Sequence, residues 1–343
     1  MAGAPEELIE NPKKVNARTE TLGAEDVLSD VLRTIRLNSA VQFCFMPQGD
    51  WETDRAPRLG ASGADSNAAI PFHIVVRGKC WVRIGAETTH LEEGDIVAFP
   101  FCTGHQLGAG QGGQLIVPTR DLPPLPWRDL PVLRYGDGEP DLRLLCGYLE
   151  CSVINFQPLR AALPVMLHVK TRGQTVTGWL GAVIGQITAE VDRPRTGGQS
   201  MLERLTEIAF IEILRHYIIS ARLGPVGWLA ALADPQLARC LALIHTEPQR
   251  DWSIQDLAAA AGMSRSSLAG KFDSVLQTSP IRYLRDWRLF LASVALANGG
   301  QPIIAIAEEA GYGTEAAFNR AFSRAFGLPP AAWRQRARDA GTA

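Results

Sequence analysis

Two segments near the C-terminal end repeat one pattern, and that repeat limits the fold more than any other feature of the chain. In the first, Ser253 can cap a helix, and Asp256 three positions on favours its positive end. Ile254, Leu257, Ala258 and Ala261 form an apolar face, Gly262 permits a tight turn, and Met263 plugs the core. Ser264 then caps a second helix, SRSSLAGKF, with Leu268 and Phe272 inward. In the second copy Ile304, Ile306, Ala307 and Ala310 supply the apolar face, and Gly311 and Tyr312 stand in the turn. Thr314 caps TEAAFNRAFSRAF, whose Phe318, Phe322 and Phe326 point inward. Aligned, Ala258 falls on Ala307, Gly262 on Gly311, Ser264 on Thr314 and Phe272 on Phe322, with one residue of slack in the turn. Helix, glycine turn and capped second helix is the geometry that sets a helix into a DNA groove. An all-helical packing domain with glycine turns is the plainer reading, but it does not account for the repeat.

The polar faces agree. Arg265 and Lys271 lie on the first capped helix, and Arg320 and Arg324 share the face of the second that is opposite its phenylalanines. An amphipathic helix over residues 280–297 is predicted between the two units. The formal net charge is −2, which argues against a basic coat over the whole chain. The charge is unevenly placed: residues 235–343 balance to +3 and residues 1–234 to −5.

Residues 234–338 resemble the DNA-binding domain of the AraC/XylS family of bacterial regulators. GYGTEAAFNRAFSRAFGLPPAAWR carries the resemblance almost position for position. It implies two helix-turn-helix subdomains, at residues 253–273 and 303–326, entering successive major grooves of double-stranded DNA. The groove-facing positions it implies are Ser266, Ala269 and Gly270 in the first unit, and Glu315, Ala316, Asn319 and Arg320 in the second; Ser267 is a further candidate DNA contact. A basic residue is common in the family where this chain has Gly270, with Lys271 beside it. The first unit is therefore expected mainly to hold phosphates and the second to read bases.

The front of the chain is different. Residues 1–25 read as a polar mobile leader, and residues 26–37 as a short amphipathic helix. From residue 40 to 145, glycines and prolines separate short β-prone runs: VQFCFM, FHIVVRG, CWVRIG, DIVAFP, QLIVPTR and LRLLCGYLE. That pattern predicts an antiparallel sandwich or barrel. GDIVAFPFCTGH fits the second half of a cupin motif, with Cys102 where a glycine is usual. FHIVVRGKCWVRIG resembles the first half but lacks the paired histidines and the glutamate of metal-dependent cupin enzymes. The resemblance implies a cupin-like sensor domain over residues 26–158.

Candidate ligands for zinc or another divalent metal are His73, His105, Cys80 and Cys102. Hydrogen-bonded core histidines and contact with an organic ligand are the alternatives. Cys44, Cys80, Cys102, Cys146 and Cys151 fall in or beside this region and Cys240 elsewhere. Each reads either as a small buried hydrophobe or as a thiol open to an oxidant, with Cys44 and Cys80 as one candidate pair.

Residues 159–223 read as a helical linker, with a short helix at 159–166, longer ones at 177–192 and 200–219, and a loop at 192–199. The face formed by Leu205, Ile208, Phe210, Ile211 and Leu214 is broad enough for core and interface together. Resemblance adds a homodimer, and Gly224-Pro225 looks like a hinge. The opening segment lacks the apolar core of a signal peptide, and no run approaches the ~20 apolar residues of a membrane span, so a cytoplasmic protein is expected. The function expected is transcription regulation, set by a small-molecule or oxidant effector and exerted with RNA polymerase. The alternative is a cupin-type metal-dependent enzyme with a helical accessory domain.

Overall fold

A computed structural model describes residue 27 and residues 37–54, 69–123, 130–151, 156–170, 178–220 and 225–341. The proposed leader, most of the first predicted helix and Gly224 lie outside the described residues. The chain divides into two compact units. One comprises residues 35–222 with 296–300 and 328–343, the other residues 1–34, 223–295 and 301–327.

In the first unit, strands β1 (Leu37–Pro47), β3 (Ala69–Arg77), β6 (Ile96–Ala98), β9 (Val132–Tyr135), β10 (Arg143–Cys151) and β11 (Leu167–Val169) form one sheet, in the order β11-β6-β3-β10-β1-β9. A second sheet runs β5 (Glu87–Glu92), β4 (Lys79–Ile84), β7 (Gln106–Ala109), β2 (Trp51–Thr53) and β8 (Gln114–Ile116). Each of the six β-prone runs of the sequence contains a strand, though Pro118–Arg120 of QLIVPTR are helical. The expected antiparallel pairing needs correction in one respect. β9 joins β1, and β8 joins β2, in parallel, and the described strands pair as two sheets.

Both sheets supply one core. Phe43, Phe45, Val75, Leu144 and Cys146 from the larger sheet meet Trp51, Cys80, Val82, Leu91 and Leu107 from the smaller. Alternation turns the intervening residues to the other face of the larger sheet. There Cys44, Ile70, Phe72, Ile74, Leu145 and Leu149 are also buried. A sheet covered on both faces reads as continuous apolar runs, which is why FHIVV and LLCG lack a polar partner at every second place.

Two short helices, α1 (Pro118–Asp121) and α2 (Gln157–Ala162), precede α3 (Gly178–Asp192) and α4 (Gly198–Ser220). The helix predicted at 159–166 ends early, because Leu167 already begins β11. α3 and α4 pack together, and α4 also covers β1. The buried side of α4 is Leu202, Thr206, Ala209, Phe210, Ile213 and Leu214, whereas Ile208 is exposed. The predicted broad stripe is thus split between core and surface. No helix among the described residues is long and apolar enough to cross a membrane.

The second unit is helical. α5 (Trp228–Ala233) and α6 (Pro235–Thr246) precede α7 (Ile254–Ala260), α8 (Arg265–Lys271) with a wide turn at Phe272–Leu276, α9 (Pro280–Asn298), α10 (Ile303–Glu309) and α11 (Glu315–Phe326). α12 (Pro330–Gly341) follows in the chain and is grouped with the first unit. Tyr283 on α9 ties three elements: Trp228 Nε1 donates to its hydroxyl at 2.8 Å, and that hydroxyl lies 2.8 Å from His245 Nε2 on α6.

The two turns match closely. Met263 N donates to the Ala258 carbonyl at 2.8 Å, and Tyr312 N to the Ala307 carbonyl at 2.9 Å. Gly262 and Gly311 sit at φ +67° and +81°. Left-handed backbone costs a side-chain-bearing residue roughly 1–2 kcal/mol. A Cβ on Gly262 would meet open space, but one on Gly311 would lie 2.7 Å from Arg288 Nη1. That guanidinium is not free to yield, since it donates to the Pro248 carbonyl at 2.6 Å and the Arg250 carbonyl at 2.8 Å. Gly311→Ala is therefore expected to lower stability by about 2 kcal/mol and Gly262→Ala by about 1. Urea denaturation followed by tryptophan fluorescence would check the order, and an equal loss would contradict the steric part.

Candidate nucleic-acid interface and sensor core

The capped helices have the polarity that a DNA-facing element needs. Ser253 and Asp256 form a complete capping box at the start of α7. The Ser264 side chain accepts from Ser267 N at 3.2 Å, and Thr314 from Ala317 N at 3.2 Å. Leu268, Phe272, Phe318 and Phe322 are fully buried. Removing one such ring costs about 3–5 kcal/mol, against about 1 for a cap. The rings therefore hold the helices down, and the caps decide where they begin. Of the predicted apolar positions, Ile304 is exposed and Phe326 only partly covered.

On the outer faces, Arg265, Ser266 and Ser267 of α8 are exposed, as are Glu315, Ala316, Arg320 and Arg324 of α11, while Asn319 is half-buried. Among the described residues no ion pair engages Arg265, Arg320 or Arg324. Lys271 differs from the expectation. Its Nζ lies 2.5 Å from Asp234 Oδ2 and 3.0 Å from Gln236 Oε1. Asp234 also caps α6, accepting from Gln236 N and Leu237 N at 2.9 and 3.0 Å. Burial raises the Asp234 carboxyl, but Lys271 and the two amides outweigh it and hold its pKa below the usual value. Lys271 thus fastens the end of α8 to α6, with its charge paired to a carboxylate. Its partner lies 37 residues upstream, a pairing that helical spacing does not reveal.

In the β-rich unit, the predicted effector residues separate. His73 Nε2 and His105 Nε2 are 2.8 Å apart, and His73 Nδ1 is 3.1 Å from Cys146 Sγ. His105 Nδ1 lies 2.8 Å from the Thr103 carbonyl. The protons can be assigned in sequence. A carbonyl only accepts, so His105 Nδ1 carries a hydrogen. Burial holds His105 down to about 4 and His73 well below its ordinary value, so both rings are neutral at pH 7. His105 Nε2 must then accept from His73 Nε2–H, and His73 Nδ1 must accept from the Cys146 thiol. Phe99 stacks on His105 with ring centroids 3.7 Å apart and closes that side.

Burial pushes the Cys146 thiol well up and the Cys80 thiol up to about 12. Neither is poised as a thiolate. Cys80 faces the shared core, whereas Cys44 is buried on the opposite face of the larger sheet. The sheet stands between the suggested pair. No side-chain placement is described for Cys151. As arranged, His73 and His105 of the proposed ligand set do not share a divalent ion between their Nε2 atoms. Two nitrogens on one tetrahedral zinc stand roughly 3.3 Å apart and share no proton. Here they are closer and hydrogen-bonded to each other. No group of three or more His, Cys, Asp or Glu suited to a metal occurs among the described residues. Cys102 is partly exposed in the loop between β6 and β7, at φ +51°. That left-handed backbone explains why glycine is the usual residue at this place in the motif.

The cupin family model matches residues 26–219, and a helix-turn-helix domain model matches residues 257–336. An AraC-like transcription regulator of Streptomyces lividans is 30% identical over 321 residues, covering 90% of this chain and 98% of that protein. A counterpart in Streptomyces antibioticus is 29% identical over 320 residues, covering 90% and 98%. The HTH-type transcriptional regulator AlkR of Acinetobacter baylyi is 30% identical over 315 residues, covering 90% and 99%.

Two outcomes are expected. Cys102→Gly relieves left-handed strain and should raise thermal stability by about 1 kcal/mol; a lower midpoint would mean the thiol's contacts matter more than its backbone. The second concerns pH. His105 is depressed in the folded chain, so the unfolded chain binds more protons between about pH 6.5 and 4. Stability is complete above that window and falls as pH drops through it, by at most about 1.4 kcal/mol per unit for one histidine. His105→Asn should flatten the slope of unfolding midpoint against pH, and an unchanged slope would show that this ring is not the group responsible.

Proposed function

Because the chain belongs to the AraC/XylS family of transcription regulators, with a cupin domain ahead of its helix-turn-helix domain, we propose that α11 reads base edges in the major groove while α8 chiefly holds the phosphate backbone. The observation that carries this is the sidedness of α11. Phe318 and Phe322 are sealed against the unit, while Glu315, Ala316, Arg320 and Arg324 are exposed from a capped start. Arg320 and Asn319 have the donor geometry for guanine and adenine edges. Ser266 and Ser267, with Arg265, suit phosphate oxygens better than bases.

The cupin domain supplies the signal in this reading. A small molecule or an oxidant acts there, and it shifts the regulator only to the extent that it favours one arrangement of the chain over the other. α3 and α4 form the homodimer contact, where Trp179, Met201 and Ile208 expose large apolar side chains. RNA polymerase is the partner on the promoter, and the cytoplasm is the site of action. The enzyme alternative draws no support from the neutral, mutually bonded histidines, and the similar proteins are regulators.

Selection from a random DNA pool by the full chain should recover a motif with two recognition blocks about one helical turn apart. On that motif, Arg320→Ala should cost about 1–3 kcal/mol of binding and relax the preference at one position, while Arg265→Ala should weaken all sequences alike and reduce the salt dependence. Unchanged binding by Arg320→Ala would remove α11 from the groove.

A further inference from the structure

The face of the larger sheet turned away from the shared core carries a cavity of about 630 Å³. Strand register builds its floor. Arg143 on β10 stands directly opposite Arg77 on β3, and Arg134 on β9 directly opposite Met46 on β1. β3, β10, β1 and β9 are successive neighbours, and three arginines from three of these strands line one cavity. Like charges directly opposite across a strand pair repel. Three carboxylates in the same lining, Glu93, Glu139 and Asp192, offset that repulsion.

The existing compensation is partial. Asp192, at the last residue of α3, forms an ion pair with Arg143. The two partners differ in freedom: the Arg143 side chain is 18% exposed and that of Asp192 47%. Arg143 Nε is buried and has no hydrogen-bond partner. Among the described residues no ion pair engages Arg77 or Arg134. The remaining wall carries Glu93 and Glu139, which can accept from donor groups on an occupant. The interior of the two-sheet core, by contrast, is filled by aromatic and aliphatic side chains.

We propose that this cavity is the effector site, and that it takes a small organic anion bearing hydroxyl or amino donors. The anionic group lies on Arg77, Arg134 and Arg143, and the donors face Glu93 and Glu139. To reach Arg143 fully the anion displaces Asp192, the more exposed partner, and so detaches the end of α3 from the sheet. Binding energy is thereby converted into a change at a helix pair that the functional reading above assigns to dimer contact, and this inference rests on that reading. The mechanism gives Asp192 an unusual sign: it is a competitor of the ligand, not a contact.

The test is isothermal titration of the full chain with citrate and, separately, inorganic phosphate, at constant ionic strength. Citrate represents hydroxylated carboxylates and phosphate the other source of the same charge. Asp192→Asn should bind more tightly than the natural chain, and Arg134→Gln more weakly, each by roughly tenfold, the weight of one charge-assisted hydrogen bond. A purely structural ion pair would not make Asp192→Asn the better binder. Equal affinity in all three chains, or no saturable binding of either anion to Asp192→Asn, overturns the site. Operator binding by fluorescence anisotropy is followed in the same samples without anion. Intact operator binding with no anion binding strikes this inference alone, whereas absent operator binding strikes the regulator reading beneath it.

Discussion

The larger sheet is buried on both faces, and most of what distinguishes the front unit depends on that constraint. A one-residue slip would exchange the two faces of any strand. In the register adopted, Cys146 and His73 look into the shared core, where a neutral imidazole chain is stable because each ring nitrogen has a partner. The same register places Cys44, Met46, Arg134 and Arg143 on the other side, within reach of α3. One set of backbone hydrogen bonds therefore separates an apolar interior from a charged outer cavity. Burying two histidines costs little only while both stay uncharged, and burial holds both rings neutral here.

The helical unit solves a different problem. Each recognition helix is short, and short isolated helices are marginal in water. Four buried apolar side chains, two from each motif, provide most of the hold. Tyr283, taking a hydrogen bond from Trp228 and facing His245, ties α9 to the elements before the first motif. Arg288, fixed on two carbonyl groups, then sits against the turn at Gly311. The spacer helix thus touches both the front of the unit and the second turn, so the two motifs are not independent beads.

Much of this was legible in residue order. Ser253, Ser264 and Thr314 mark helix starts through their short polar side chains, and Gly262 and Gly311 mark turns through their backbone freedom. Both are local properties, and the structure bears them out. Ile304 was misplaced because adjacent isoleucines leave the helix phase undecided. Cys44 and Cys80 were paired on composition alone, and a sheet lies between them. Lys271 was read as a phosphate contact because its partner Asp234 lies outside its own helix.

The sequence by itself determined the kinds of element, the doubled helix-turn-helix and the membership of a regulator family, since these rest on caps, glycines and apolar periods within a few residues of one another. It could not determine which distant groups meet. That His73 joins His105 and Cys146, that Asp192 holds Arg143, and that three arginines from separate strands share one cavity all follow from strand register and helix docking. Register is set by the burial of whole faces at once. It is a collective property of the sheet, and no stretch of residues carries it alone.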